Sequence, residues 1–207
     1  MKTEINPQET TRAYAFEMWM KSPNPMVTLV KTFNVSRLVK VSHQTGMKFM
    51  ALMCWCIGKA ASEIAEFYTL PEGDKVFRYD RLAINAIVPN CQGGISFCDI
   101  PFSEDLQQFS HDYLRLTAEA AKGCKNTSLE DHVIVGTSAV VETELDCIVN
   151  QYSGIFNNPF LVWGKYRKGL FKTTLPISFQ FHHAQMDGSH AARFLNRLQE
   201  EIDDLRI

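Results

Sequence analysis

Residues 170–207 read LFKTTLPISFQFHHAQMDGSHAARFLNRLQEEIDDLRI. In the first half, Leu175, Ile177, Phe179 and Phe181 alternate with Pro176, Ser178, Gln180 and His182, which is the period of a strand. From Ser189 onward, Phe194, Leu195, Leu198, Ile202 and Leu205 recur at three and four, which predicts a helix with one apolar face. A strand therefore feeds a helix through FHHAQMDG (181–188), the kind of junction where a reactive side chain is presented.

Working outward, PQETTRAYAFEMWMKS (7–22) suits a helix with Pro7 in its first turn, and MVTLVKTFNV (26–35) suits a strand. Ser36 opens a short helix that stops near Gly46, and apolar spacing over 47–67 predicts one long central helix. After Gly73, KVFRYDRLAINAIV and ISFCDI predict an antiparallel meander. An amphipathic helix over 102–122 follows, with Ser103 as its cap and Gly123 at its end. HVIVGTSAVV (132–141) and FLVWGKY (160–166) add strands on either side of a loop, YSGIFNNP. Helices and strands mix without regular βα alternation, so the expected class is α+β: a two-layer sandwich of a mixed, largely antiparallel sheet covered by helices. No linker or repeat divides the chain, so residues 1–207 are expected to form a single domain.

Composition narrows the function. The 207 residues are 45% hydrophobic, enough for a core without covalent staples. Lys+Arg 21 against Asp+Glu 23, with no block of like charge, removes the electrostatic footprint that nucleic acid or anionic lipid would need. No apolar leader and no span long enough for a bilayer occur, and the cysteines show no framework spacing, so a cytoplasmic protein with free thiols is expected. Cys54 and Cys56, one residue apart, read as buried helix thiols.

At the junction, the strand parity carries His183 to the apolar side, where desolvation keeps an imidazole neutral and able to accept a proton. His182 falls on the opposite parity, so the two rings do not readily converge on one ion even with Asp187 and His190 nearby, and no metal is expected. On spacing alone, Asp187 could bond the imidazole, cap the helix or pair with a distant arginine.

HHAQMDG followed by SHAARFLNRLQ resembles the signature of the chloramphenicol acetyltransferase family, whose HHxxxDG motif recurs in CoA-dependent acyltransferases. The likeness extends in order through RAYAFEMW from Arg12, KFMALM from Lys48, PFSEDLQQF, Thr137-Ser138-Ala139, Lys165-Tyr166 and LPIS. It implies an acetyl-CoA-dependent O-acetyltransferase in which His183 is the general base, with chloramphenicol the leading acceptor. Ser138 is implied to donate to the oxyanion, and Asp187 to pair with Arg12 as a structural support for the turn. Lys48, Lys165 and Tyr166 are implied to lie against CoA. A homotrimer is implied, with active sites at the subunit interfaces.

Trp19, Val27, Ile95 and Ile148 are the implied acceptor-pocket positions. Trp19 stands where antibiotic-modifying members carry a tyrosine, and Val27 and Ile95 where they carry phenylalanines. A different xenobiotic or metabolite is therefore the alternative acceptor, and a non-catalytic small-molecule binder on the same fold the alternative class. A metal-dependent hydrolase built on the histidine pair is a third reading, separated from the others by elemental analysis.

Overall fold

The computed structural model describes residues 1–206. In chain order the strands are β1 (Lys2–Ile5), β2 (Met26–Asn34), β3 (Thr69–Glu72), β4 (Lys75–Tyr79), β5 (Leu82–Pro89), β6 (Ile95–Pro101), β7 (Val133–Val140), β8 (Phe160–Gly164), β9 (Arg167–Lys168) and β10 (Thr173–His182). The helices are α1 (Ala13–Trp19), α2 (Ser36–Thr45), α3 (Phe49–Ser62), α4 (Leu106–Gly123) and α5 (Gly188–Asp203).

The main sheet runs β2-β10-β8-β7-β5-β6, with β9 beside β10. Pairing is parallel only at β5/β7 and β7/β8, which gives the mixed, largely antiparallel sheet the sequence predicts. One face is apolar: Val133 and Val135 of β7, Leu161 and Trp163 of β8, and Ile177 and Phe179 of β10 are all buried. The helices lie against it around α3, whose Leu52, Met53, Ile57 and Ala60 are fully enclosed. Phe179 and Phe194 join β10 to α5 with ring centres 4.7 Å apart, and Phe67 closes the cluster at 4.8 Å from Phe194. Each such side chain contributes about 1.5–3 kcal/mol through removal from water.

Several predicted boundaries move for local reasons. The helix expected over 7–22 splits into a 3-10 turn (Pro7–Glu9) and α1, because Thr10 is extended and its hydroxyl donates to the Pro7 carbonyl while accepting the Arg12 N–H. The helix expected over 47–67 stops at Ser62, since Ile64 is extended and a second 3-10 turn (Ala65–Tyr68) takes over. Asp105, not Ser103, caps α4, its carboxylate accepting the N–H groups of Gln107 and Gln108. The expected meander is also corrected: β4 leaves the main sheet and pairs with β1 and β3 in a three-stranded sheet, order β1-β4-β3. β1 was not foreseen, because KTEI carries no apolar alternation.

The strand β8 shows how closely the connecting loop crosses the sheet. A Cβ at Gly164 would stand 2.8 Å from the Thr143 carbonyl oxygen and 2.9 Å from the Leu145 nitrogen, both backbone atoms. Gly164→Ala is expected to displace this loop and cost about 1–3 kcal/mol, read by urea unfolding. Unchanged stability would show that the loop does not press on β8.

Candidate active site

The turn after β10 is held by one guanidinium. Arg12 Nη1 lies 3.0 Å from Asp187 Oδ2, Nε donates to the Ala184 carbonyl at 3.3 Å, and Nη2 donates to the His183 carbonyl. Asp187 also caps α5, accepting from Ser189 N at 2.9 Å and His190 N at 3.3 Å. Burial opposes its ionisation, but the Ser189 hydroxyl and the two backbone N–H groups outweigh it and bring the carboxyl down to about 2. His190 completes the cap, its Nδ1 accepting the Asp187 N–H at 3.2 Å while Nε2 faces Glu66 at 3.2 Å. Asp187 thus takes two of the three roles left open by spacing, the cap and the arginine partner.

The strand ends at His182, and His183 is the first residue beyond it. The His183 N–H donates to the Pro25 carbonyl at 2.8 Å, which carries the register of β10 against β2 one residue past the end of the strand. Its half-buried ring stacks on Trp19 of α1, with centroids 4.4 Å apart and planes 9° from parallel. Nδ1 is buried and has no hydrogen-bond partner among the described residues. The fully enclosed imidazole of the pair is His182: desolvation first, and the neighbouring His183 second, depress it to about 4. Its Nδ1 accepts the Ala184 N–H at 3.1 Å, which fixes the turn from inside.

Ser138 lies on the face of the sheet away from the helices. There Asn85, Ile87, Phe97, Asp99, Ser138 and Gln180 line a cavity of about 720 Å³, roofed by residues 150–156 and 128–130. The floor is organised by polar bonds. Asn85 Nδ2 donates to Asp99 Oδ1 at 2.7 Å, Leu129 N to Asp99 Oδ2 at 2.9 Å, and Gln180 Nε2 to the Asn150 carbonyl at 2.7 Å. Thr137, on the opposite face, ties β7 to β5 by donating to the Asn85 carbonyl at 2.8 Å. Ser178 accepts the Ile148 N–H at 3.0 Å, whereas the Ser138 hydroxyl is left uncommitted among the described residues. Gly136 admits the Phe160 ring, which a Cβ would meet at 2.3 Å. Asn85, Asp99 and Gln180 were missed from the sequence, although a polar residue recurring inside a buried strand was the available signal. A smaller cavity of about 560 Å³, lined by Arg12, Phe16, Arg78 and Gln185, lies behind the turn.

The predicted residues fall into three groups. Ser138 pairs with Val162, which pairs with Ser178, so His183 is two strands over and five residues along from Ser138. At about 4.8 Å per strand and about 3.4 Å per residue, their backbones are roughly 20 Å apart. Trp19 accompanies His183, while Ile148 lies over Ser178 beside the cavity. Ile95 shares the parity of Phe97 and Asp99 at the sheet's far edge and is exposed. Val27 departs from its expected place: opposite Phe181 in the ladder, it packs on the apolar core. Lys48 caps α3, and its neighbour Phe49 meets the ring of Tyr166 at 5.3 Å, which brings exposed Lys48 and Lys165 to one corner. Cys54 is buried, its thiol pushed up to about 12 by desolvation, and Cys56 is buried and raised in the same way. Among the described residues, no three of His, Cys, Asp or Glu are grouped to hold a metal, and no helix is long and apolar enough to cross a membrane.

The enclosed His182 has a consequence for stability. Unfolded, it takes a proton near 6.5; folded, only near 4, so the unfolded chain binds more protons between these values and stability rises with pH there. On acidification from about pH 7 to about pH 4.5, wild type is expected to lose most of a contribution on the order of 3 kcal/mol, and His182→Asn less, by urea unfolding. Equal losses in the two proteins would mean that another group governs this window.

A model of the family described as chloramphenicol acetyltransferase matches residues 2–199. Chloramphenicol acetyltransferase 3 of Escherichia coli is 25% identical over 204 residues, covering 96% of this chain and 95% of that protein. Chloramphenicol acetyltransferase 2 of the same organism is 23% identical, covering 98% of each. A solved chloramphenicol acetyltransferase superposes with a TM-score of 0.81 at 20% identity, covering 98% of this chain and 100% of that one. The cubic core of a pyruvate dehydrogenase multienzyme complex shares the fold at a TM-score of 0.63 and 18% identity, over 94% of this chain and 86% of that one. The near-complete span of the family model identifies the chain as a member of the chloramphenicol acetyltransferase family, an acyltransferase.

Proposed function

We propose that the protein is an acetyl-CoA-dependent O-acetyltransferase, with chloramphenicol as its leading acceptor. The observation that carries this reading is the threefold grip of Arg12 on the turn that presents His183, whose ring is stacked on Trp19 and makes no hydrogen bond among the described residues. His183 accepts the proton of the acceptor hydroxyl as that oxygen attacks the thioester carbonyl. The Ser138 hydroxyl donates to the carbonyl oxygen as negative charge develops there. Arg12 and Asp187 act as positioning residues. The corner formed by Lys48, Phe49, Lys165 and Tyr166 suits the phosphates and adenine of CoA, offering two cations and two aromatic rings.

The roughly 20 Å between Ser138 and His183 excludes a direct transfer that uses both from one chain. The homotrimer that the family resemblance implies is part of this reading, with His183 of one copy facing the Ser138 cavity of the next. The polar floor of Asn85, Asp99 and Gln180 supplies orientation for a hydroxylated acceptor, and Ile87 and Ile134 its apolar walls. Trp19 in place of a tyrosine removes a hydroxyl from the base's surroundings, and this favours an acceptor other than chloramphenicol as the second reading.

Incubation with acetyl-CoA and chloramphenicol is expected to release the CoA thiol. Absence of release with chloramphenicol but not with other alcohols would select the second reading, and absence with all alcohols and amines would overturn the enzyme. His183→Ala is expected to lower turnover by about a hundredfold to ten-thousandfold, and Ser138→Ala by about a hundredfold, at unchanged melting temperature. Mixed oligomers of the two variants, made by unfolding and refolding together, are expected to regain activity, because some interfaces then hold both intact halves. Failure to regain it, with mixing verified by light scattering, would place the site within one chain.

A further inference from the structure

We infer that Cys91 and Cys124 form a reversible disulfide that pins the wall of the Ser138 cavity. This rests on the thiol geometry and not on the proposed acyl transfer. Cys91 lies in the turn between β5 and β6, and Cys124 follows α4 in a left-handed conformation with φ 49°. Their sulfurs are 2.9 Å apart. The backbones are already tied, since the Cys91 N–H donates to the Ala121 carbonyl at 3.1 Å and the Cys91 thiol approaches the Lys122 carbonyl at 3.4 Å. Cys91 is exposed and Cys124 partly so, which lets a small oxidant reach them. The other cysteines differ: Cys54, Cys56 and Cys98 are buried, and Cys147 stands alone.

The turn is itself rigid. Asn90 Oδ1 accepts the N–H groups of Gln92 and Gly94, and Asn90 Nδ2 donates to Ser96, so the Cys91 sulfur is presented rather than mobile. The shared thiol contact with Cys124 raises Cys91, and Cys124 sits at the negative end of the α4 dipole. Oxidation by a small-molecule disulfide is balanced: one protein S–S bond forms, the oxidant's S–S bond breaks, and the two thiol protons end on its two released thiols.

The linkage reaches the cavity through the strap that begins at Cys124. Phe97 N donates to Asn126 Oδ1 at 3.1 Å, Thr127 N to the Phe97 carbonyl at 3.1 Å, and Leu129 N to Asp99 Oδ2 at 2.9 Å. Ser128, Leu129 and Glu130 of this strap, with Phe97 and Asp99 of β6, line the cavity. Joining Cys91 to Cys124 fixes the origin of the strap to the hairpin that carries those β6 residues.

The test treats the full-length protein with excess oxidised glutathione, then digests it without reduction for mass spectrometry. A Cys91–Cys124 cross-linked peptide that dithiothreitol abolishes is expected, together with a rise of roughly 5–15 °C in melting temperature. Slower amide exchange at Thr127 and Leu129 is expected in the oxidised protein. Cys91→Ser is expected to leave Cys124 glutathionylated, with none of these shifts. Glutathione adducts on either cysteine of the wild type without the cross-link, or no oxidation at all, would overturn the disulfide. A cross-link without change in exchange at the strap would overturn its hold on the cavity.

Discussion

Arg12 and the turn after β10 form the contact on which the rest of the site depends. One planar cation meets two carbonyls and a carboxylate, so the turn's backbone is set by a group with fixed donor geometry rather than by packing. The same carboxylate starts α5, whose apolar face covers the main sheet. Removing the guanidinium would leave Asp187 short of a partner and two carbonyls unsatisfied in a part-buried place, at a cost above that of an exposed ion pair. The cap and the presentation of His183 are thus a single structure.

The sheet divides the chemistry between its faces. Toward the helices it is apolar and closed. Toward the other side it carries Asn85, Asp99, Ser138 and Gln180 on β5, β6, β7 and β10, an arrangement that a core would not tolerate and that a ligand cavity needs. The parallel pairing of β7 with β5 and β8 puts Ser138 in the middle of this surface, while His183 lies beyond the end of β10.

Much of this was legible because the sequence is periodic where the structure is regular. Alternation from Leu175 to Phe181 and the three-four spacing from Phe194 to Leu205 located β10 and α5, and the left-handed Gly46 ended α2 where a glycine stop was read. The family signature pointed to Arg12 and Asp187, a pairing that spacing alone left open. Illegible were features set by local competition or by distant partners. Thr10 broke a helix by bonding its own backbone, and β1 exists only because β4 stands ready to pair with it. Asn85 and Asp99 gain meaning only from facing one another across β5 and β6.

The pairing of β2 with β10 constrains the order in which the molecule can be made. Met26 faces His182, and Arg12 reaches Asp187 across 175 residues of chain, so a ribosome delivers β2 long before any strand can cover it. Throughout that interval Val27 and Leu29 sit in a β-prone segment with unsatisfied edges, the sort that recruits identical nascent chains on a polysome. Lys31, set among them, is the one charge within β2 that opposes such association until β10 arrives.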